Sequence, residues 1–181
     1  RNAGIAAAET EFLCCLDSDD LFEPGGIAAL RAVYAADPEF DGVAFGACRL
    51  GDAVEIPPDR MPRQDLLQEY VKRPFIHTMS FMIRRHHFDR MPAYHEDLTN
   101  LEDVELFIRL MARLEFRNCG RVVSRIRKQD DSASINHAKI AAQGTRLLDH
   151  LRADEPAMAA LGANFAVIAD RVHRELLRAY Y

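Results

Sequence analysis

Apolar and polar positions along this chain switch repeatedly between two periods. Phe12-Leu13-Cys14-Cys15-Leu16 is a continuous apolar run bounded by polar residues, the pattern of a short strand buried on both faces of a sheet. Ahead of it, Ile5 to Glu11 is rich in Ala and weakly amphipathic, and reads as the end of a helix. After it comes the acidic string Asp17-Ser18-Asp19-Asp20. Pro24 then falls in the first turn of a helix whose apolar positions are Ile27, Leu30, Val33 and Tyr34. Asp37-Pro38 stops that helix, and Asp41-Gly42 turns the chain into a second strand, Val43 to Leu50.

The second half continues the alternation. Pro57, Pro58 and Pro62 mark a loop, and Gln64 to Lys72 reads as a short helix. Met79, Phe81 and Ile83 alternate with Ser80, Met82 and Arg84, the period of a half-buried strand. A loop from Met91 to Leu101 leads to a helix over 102–113, whose apolar face is Leu106, Phe107, Leu110, Met111 and Leu114. Arg121 to Arg127 reads as a further strand. From His137 the chain is helical, with breaks near Glu155-Pro156 and Gly162. Strands alternating with helices predict an α/β layer architecture with one mostly parallel sheet flanked by helices. The expected division is a sheet-bearing domain over 1–136 and a helical extension over 137–181 packed on it.

Composition narrows the function classes. The chain has 181 residues, 49% of them hydrophobic and 28% charged, which is ordinary for a globular domain with a real core. A net charge of -5 weighs against nucleic acid as a partner, because phosphate neutralisation needs a basic surface. The four cysteines, Cys14, Cys15, Cys48 and Cys119, form no C-x-x-C pair, so a structural zinc site of that kind is not expected. No apolar run reaches the roughly 18 to 20 residues that span a bilayer. A cytoplasmic protein is the expectation, with peripheral attachment at the inner membrane face as the alternative. G-x-S-x-G, G-x-x-x-x-G-K-[ST] and G-x-G-x-x-G are all absent, which lowers hydrolase, P-loop and dehydrogenase readings. His77, His86 and His87 have no carboxylate or Cys at metal-ligand spacing and read as surface or packing residues.

Two acidic segments carry candidate chemistry. Asp17, Asp19 and Asp20 lie within four residues at the end of a strand, where open α/β sheets bind ligands. Carboxylates there suit a hard divalent cation, which takes one or two of them plus substrate phosphates. The competing reading is helix capping by Asp and Ser. Glu102-Asp103 opens the later helix, with Asn100 as its N-cap and Asp103 as its third residue. These acids either stabilise that helix start or supply a general base. Arg109 is expected to pair with Glu105 four residues earlier on the same helix.

A resemblance joins these segments. Arg1-Asn2-x-Gly4-Ile5 followed by Glu11 to Asp20 is similar to the pattern of bacterial-type family 2 glycosyltransferases, in which an RN-x-G segment precedes a strand ending in D-x-D. Phe88-Asp89, His95-Glu96-Asp97-Leu98 and Leu101 to Leu110 resemble the same family's F-D-E-x-L and E-D-x-D-L-x-x-R-L stretch, and Arg125 to Ser134 resembles its Y-R-x-H-x-x-S-x-S stretch. The resemblance implies a GT-A fold whose nucleoside-binding part is not within the sequence. It implies an inverting, metal-dependent transfer of a sugar from a nucleotide diphosphate donor to a glycan, lipid-linked or small-molecule acceptor. It implies Asp19, with Asp17, as ligands of Mn²⁺ or Mg²⁺. Arg1, Asn2, Gly4 and Asp17 would lie near the donor, with Arg127 and Lys128 facing the diphosphate. Asp103 would be the base and Glu102 would orient the acceptor. Gln129 stands where the family often has His. The chain has no Trp and hence no Q-x-x-R-W, which favours transfer of single sugars. A non-catalytic nucleotide-sugar-binding or assembly module of the same fold is the alternative, a nucleotidyltransferase is a third reading, and a homo-oligomer is compatible with each.

Overall fold

A computed structural model describes residues 1–51, 53–55, 63–127 and 137–180. The chain divides into two compact units that interleave in sequence: Arg1–Arg63 with Phe75–Ala93 and Leu114–Lys128, and Gln64–Pro74 with Tyr94–Arg113 and Gln129–Tyr181.

The first unit holds a six-stranded sheet. Its elements are α1 (Asn2–Ala7), β1 (Phe12–Leu13), β2 (Leu21–Phe22), α2 (Gly26–Ala36), β3 (Val43–Leu50), β4 (Ala53–Glu55), β5 (Phe81–Arg84), a 3₁₀ turn over Arg85–Asp89, and β6 (Phe116–Ile126). The strand order is β1-β5-β3-β6-β2, with β4 hairpinned onto β3. Among the described residues only β3 and β6 pair in parallel; the other four pairings are antiparallel. The expectation of a mostly parallel sheet is therefore corrected: the sheet is mixed. Alternating strands and helices would give parallel neighbours only if every connection were a crossover. Here Gly51, at φ 61°, starts a tight return from β3 into β4, and β5 inserts between β1 and β3 in the opposite direction. Because β5 is antiparallel to both neighbours, β1, β3 and β6 still run the same way.

Two strand readings change as well. The apolar run at Phe12 is a two-residue strand with β5 as its partner among the described residues, so Cys14 and Cys15 lie beyond it, half-buried, and Leu16 is exposed. The strand at Phe81 is buried on both faces rather than one, because Ser80 and Met82 are as enclosed as Phe81 and Ile83. β6 begins earlier than its sequence period announces. Gly120, at φ 68°, accommodates a bulge opposite Gly46 that shifts the β3–β6 register and interrupts the alternation.

α2 packs on this sheet through Leu30 and Tyr34. Burying the Tyr34 hydroxyl demands partners. It lies 2.9 Å from the Gly42 carbonyl and 2.8 Å from that of Met82, and accepts from the Ala44 N–H at 3.3 Å, so one side chain ties the helix to β3 and β5. Gly26 lets the helix start close on β6: a Cβ there would stand 2.3 Å from the Val123 carbonyl oxygen.

The second unit is helical: α3 (Arg63–Lys72), α4 (Glu102–Arg113), α5 (His137–Ala153), α6 (Glu155–Leu161) and α7 (Asn164–Tyr180). On α4, Leu106, Phe107, Ile108, Leu110 and Met111 are all buried, and the Phe107 ring meets Tyr70 of α3 edge-on at 6.0 Å. The break before Pro156 is built from polar contacts: Asp154 caps α6 by accepting from Ala157 N–H at 2.9 Å, and its other oxygen takes Arg113 at 2.8 Å. Among the described residues no helix is long and apolar enough to cross a membrane.

Candidate functional site

β1 ends at Leu13, and the chain runs on to a turn closed by Asp20 N–H donating to the Asp17 carbonyl at 3.1 Å. The turn leads directly into β2. Leu21 sits opposite Arg125, and Arg125 opposite Arg49, so Asp20 arrives at the C-terminal end of β3 and β6. The three carboxylates do not converge on one point; each has a different environment.

Asp17 is gripped by Arg1. The guanidinium reaches both carboxylate oxygens, at 2.8 and 2.9 Å, with Nε adding a third contact at 3.1 Å. Asp20 turns inward, is only 7% exposed, and accepts the Arg127 backbone N–H at 3.0 Å. Burial raises the Asp20 pKa; the Arg127 N–H pulls it back down, and the neighbouring Asp19 and Asp17 charges push it up again. No hydrogen bond or ion pair holds the Asp19 carboxylate among the described residues. Its backbone carbonyl instead accepts the Arg127 Nε–H. Arg127 thus clasps the acidic turn twice, through its own backbone and through its side chain. Arg1, Asp17, Asp19, Asp20 and Arg127, spread over most of the unit's sequence, form one cluster.

The residues flanking this cluster are placed as follows. Asn2 and Gly4 are in α1; Asn2 is half-buried and Gly4 exposed, with nothing within 4 Å of where a Cβ would be. Lys128, and the stretch to Ser134 that includes Gln129, lie outside the described residues. Sequence reasoning missed Glu23, which follows β2 and takes Arg125 at 2.9 Å and Arg49 at 3.2 Å on a single oxygen. Arg125 first, then Arg49, lowers the Glu23 pKa. The signal was hidden because those partners are 26 and 102 residues away.

In the second unit, Glu102 and Asp103 are the first two residues of α4. The expected cap is corrected. Leu101, not Asn100, precedes the helix, and its carbonyl accepts the Glu105 N–H at 3.0 Å in the first helical bond. Asp103 is accordingly the second helical residue, and its Oδ1 accepts the Val104 N–H at 2.8 Å. Leu101 has φ 67°, the left-handed region that a side chain enters at a cost of about 1–2 kcal/mol. Such strain is commonest where a site fixes its backbone. The expected Glu105–Arg109 pair is present: Nε to Oε1 at 2.6 Å, a second guanidinium nitrogen to Oε2 at 2.8 Å, with both side chains buried.

Scanned against protein-family models and against curated proteins, the sequence finds no match.

Of the three acids in the turn, Asp19 is the one whose carboxylate has no hydrogen bond or ion pair among the described residues, and so the one open to a hard cation. Asp17 fits less directly, since both its oxygens are engaged by Arg1. It would act by holding the turn or by releasing Arg1. Two further groups could hold a metal and were not legible in sequence spacing: Asp41 with His86 and His87 in the first unit, and His95 with Asp97 and His150 in the second.

Proposed function

We propose that this chain is part of an inverting, metal-dependent glycosyltransferase that moves a sugar from a nucleotide diphosphate to an acceptor hydroxyl. The observation that carries the reading is the clasp around Asp19. Arg1 and Arg127, from the first and last segments of the family resemblance, meet the same acidic turn and, among the described residues, leave its middle carboxylate uncommitted. A cation bound by Asp19 together with donor phosphates would neutralise charge on the leaving diphosphate. Arg127, half tethered to the turn, adds a fixed positive charge at the same place. Arg1 holds Asp17 and so keeps the turn's shape independent of the donor.

Asp103 is the proposed base. The acceptor hydroxyl forms the new bond to the anomeric carbon, the bond from that carbon to the phosphate oxygen breaks, and the hydroxyl proton passes to the Asp103 carboxylate. Position two of a helix stabilises the ionised form that this role needs. Glu102 beside it orients the acceptor.

The test pairs two variants of the protein. Calorimetry with a panel of nucleoside diphosphates, with and without Mn²⁺, should show metal-dependent binding that Asp19→Ala abolishes. Asp103→Asn should bind the same diphosphate normally and lose sugar transfer by at least about a hundredfold, within the usual range for general-base catalysis. Equal binding by Asp19→Ala and wild type would reduce the turn to a structural element. Normal binding without any transfer in the wild type would leave a nucleotide-sugar-binding module.

A further inference from the structure

The end of the sheet away from Asp20 carries a second cluster that the reading above does not use. β5 pairs antiparallel with β3, Ile83 opposite Val43, so residues just before β3 and just after β5 are brought together. Asp41 stands two positions ahead of β3, and His86 and His87 lie in the 3₁₀ turn that follows β5. His86 Nε2 is 3.2 Å from Asp41 Oδ2, and His87 Nε2 is 3.3 Å from Asp41 Oδ1. The two rings are tilted by 41°, with centroids 4.3 Å apart. Each histidine therefore addresses its own oxygen of one carboxylate.

We infer that Asp41, His86 and His87 form a site for a borderline divalent transition-metal ion such as Zn²⁺. In a tetrahedral site with bonds of roughly 2.0–2.2 Å, neighbouring donor atoms stand about 3.3 Å apart; each ring nitrogen already has an Asp41 oxygen at that range, and one donor atom from each of the three residues lies within 4.8 Å of the others. Two imidazoles and one carboxylate select zinc, cobalt, nickel or copper over the hard cations that suit Asp19. Asp41 and His86 are 54% and 42% exposed on their side chains, so water can complete the shell. Two contacts compete with the ion. His87 Nε2 also lies 3.0 Å from the Asp41 carbonyl, and Arg84 Nε approaches Asp41 at 3.6 Å. Glu11 pairs with that same guanidinium and offsets its charge.

The second unit supplies an internal control. His150 takes both oxygens of Asp97 at 3.0 Å, but His95 stacks on His150 at 3.8 Å and 16°. Imidazole lone pairs lie in the ring plane, so two nearly parallel rings cannot both aim at one ion. The donor atoms of that cluster are close enough for an ion, but its stacked rings aim poorly at one, and His95 also faces Glu105 at 3.6 Å, so it is the weaker of the two groups.

Titration of the chelator-treated protein with Co²⁺ and Zn²⁺ decides the matter. One Co²⁺ per chain should bind with the visible absorption of a tetrahedral site, and Zn²⁺ should displace it and raise the melting temperature. His86→Ala, at an exposed position, should weaken binding at least about tenfold, the lower end of what losing even an outer partner costs. Asp41→Asn should do the same, whereas His150→Ala should leave binding unchanged. No stoichiometric binding to a protein shown folded by its melt overturns the assignment. So does binding that survives His86→Ala or disappears with His150→Ala.

Discussion

Two arginine–carboxylate pairs of the same chemistry sit in opposite settings. Arg1 grips Asp17 at 2.8 Å with the two side chains 29% and 33% exposed. Arg109 grips Glu105 at 2.6 Å with exposures of 2% and 0%. The Coulomb term at such distances is about 1.5 kcal/mol in water and about 6 kcal/mol at an effective dielectric of about 20. The exposed pair can therefore open and reclose against solvent at little cost, as a group near a ligand must. The buried pair cannot, because parting it leaves a charge with no water to receive it. Residue types alone do not separate the two pairs; their surroundings set one beside the acidic turn and the other in the frame of α4.

The largest effect should follow from breaking the buried pair on one side. Glu105→Ala removes the bidentate carboxylate partner of the buried Arg109 guanidinium and should cost about 3–5 kcal/mol of stability, a large part of the roughly 5–15 kcal/mol that holds a typical domain folded. The double substitution Glu105→Leu with Arg109→Met removes both buried charges together and should recover much of that loss. Urea denaturation of the three variants measures both steps. A loss under about 1 kcal/mol in Glu105→Ala would show that water reaches the pair, and the contrast with Arg1–Asp17 would fall.

Asp20 lies between these extremes: a buried carboxylate whose partner is a backbone N–H rather than an arginine side chain. Asp20→Ala leaves the Arg127 N–H without that partner, at about 1–3 kcal/mol. Asp20→Asn keeps an acceptor oxygen and removes the ionisable group. The sign follows from the raised folded pKa. Asp20 contributes stability that is full below its unfolded pKa of about 3.9 and is lost as pH rises through the folded value. An asparagine has no such loss, so the stability of Asp20→Asn relative to wild type should improve from pH 4 to pH 7. Denaturation midpoints across that range test it; a relative decline towards neutral pH would mean that the carboxylate's charge strengthens the Arg127 contact by more than burial weakens it.

Local period made much of the fold legible. β3 has the predicted bounds, α2, α3 and α4 fall within a residue or two of theirs, and the tail breaks before Pro156 and at Gly162. Strand pairing was not legible, because direction and order depend on connections between distant residues. β2 is two residues long and is defined by its pairing with β6, and β4 is a short return on β3. The candidate site divides in the same way. The acidic string announced itself by composition, yet the different fates of Asp17, Asp19 and Asp20 depend on Arg1 and Arg127, 16 and 107 residues away from their partners. The histidines were set aside for want of a nearby carboxylate, and Asp41 reaches them across 45 residues. Leu101 gave no warning of a left-handed backbone, since Leu has no preference for it.

The smallest predicted effect is the sharpest test of the opening contrast. Asp17→Asn removes the charge that Arg1 grips while keeping nearly the same shape and one acceptor oxygen. An exposed pair of this kind contributes about 0–1 kcal/mol, and salt screens it further. The Asp20 N–H to Asp17 carbonyl bond that closes the turn is a backbone contact, so the substitution leaves it in place. The melt should therefore move little at low ionic strength and not at all in high salt. Nucleoside diphosphate binding in the presence of Mn²⁺ should change by more than the melt does, because freeing Arg1 alters the charge beside Asp19. A stability loss of several kcal/mol with unchanged binding would reverse the assignment and make Arg1–Asp17 a structural pair like Arg109–Glu105.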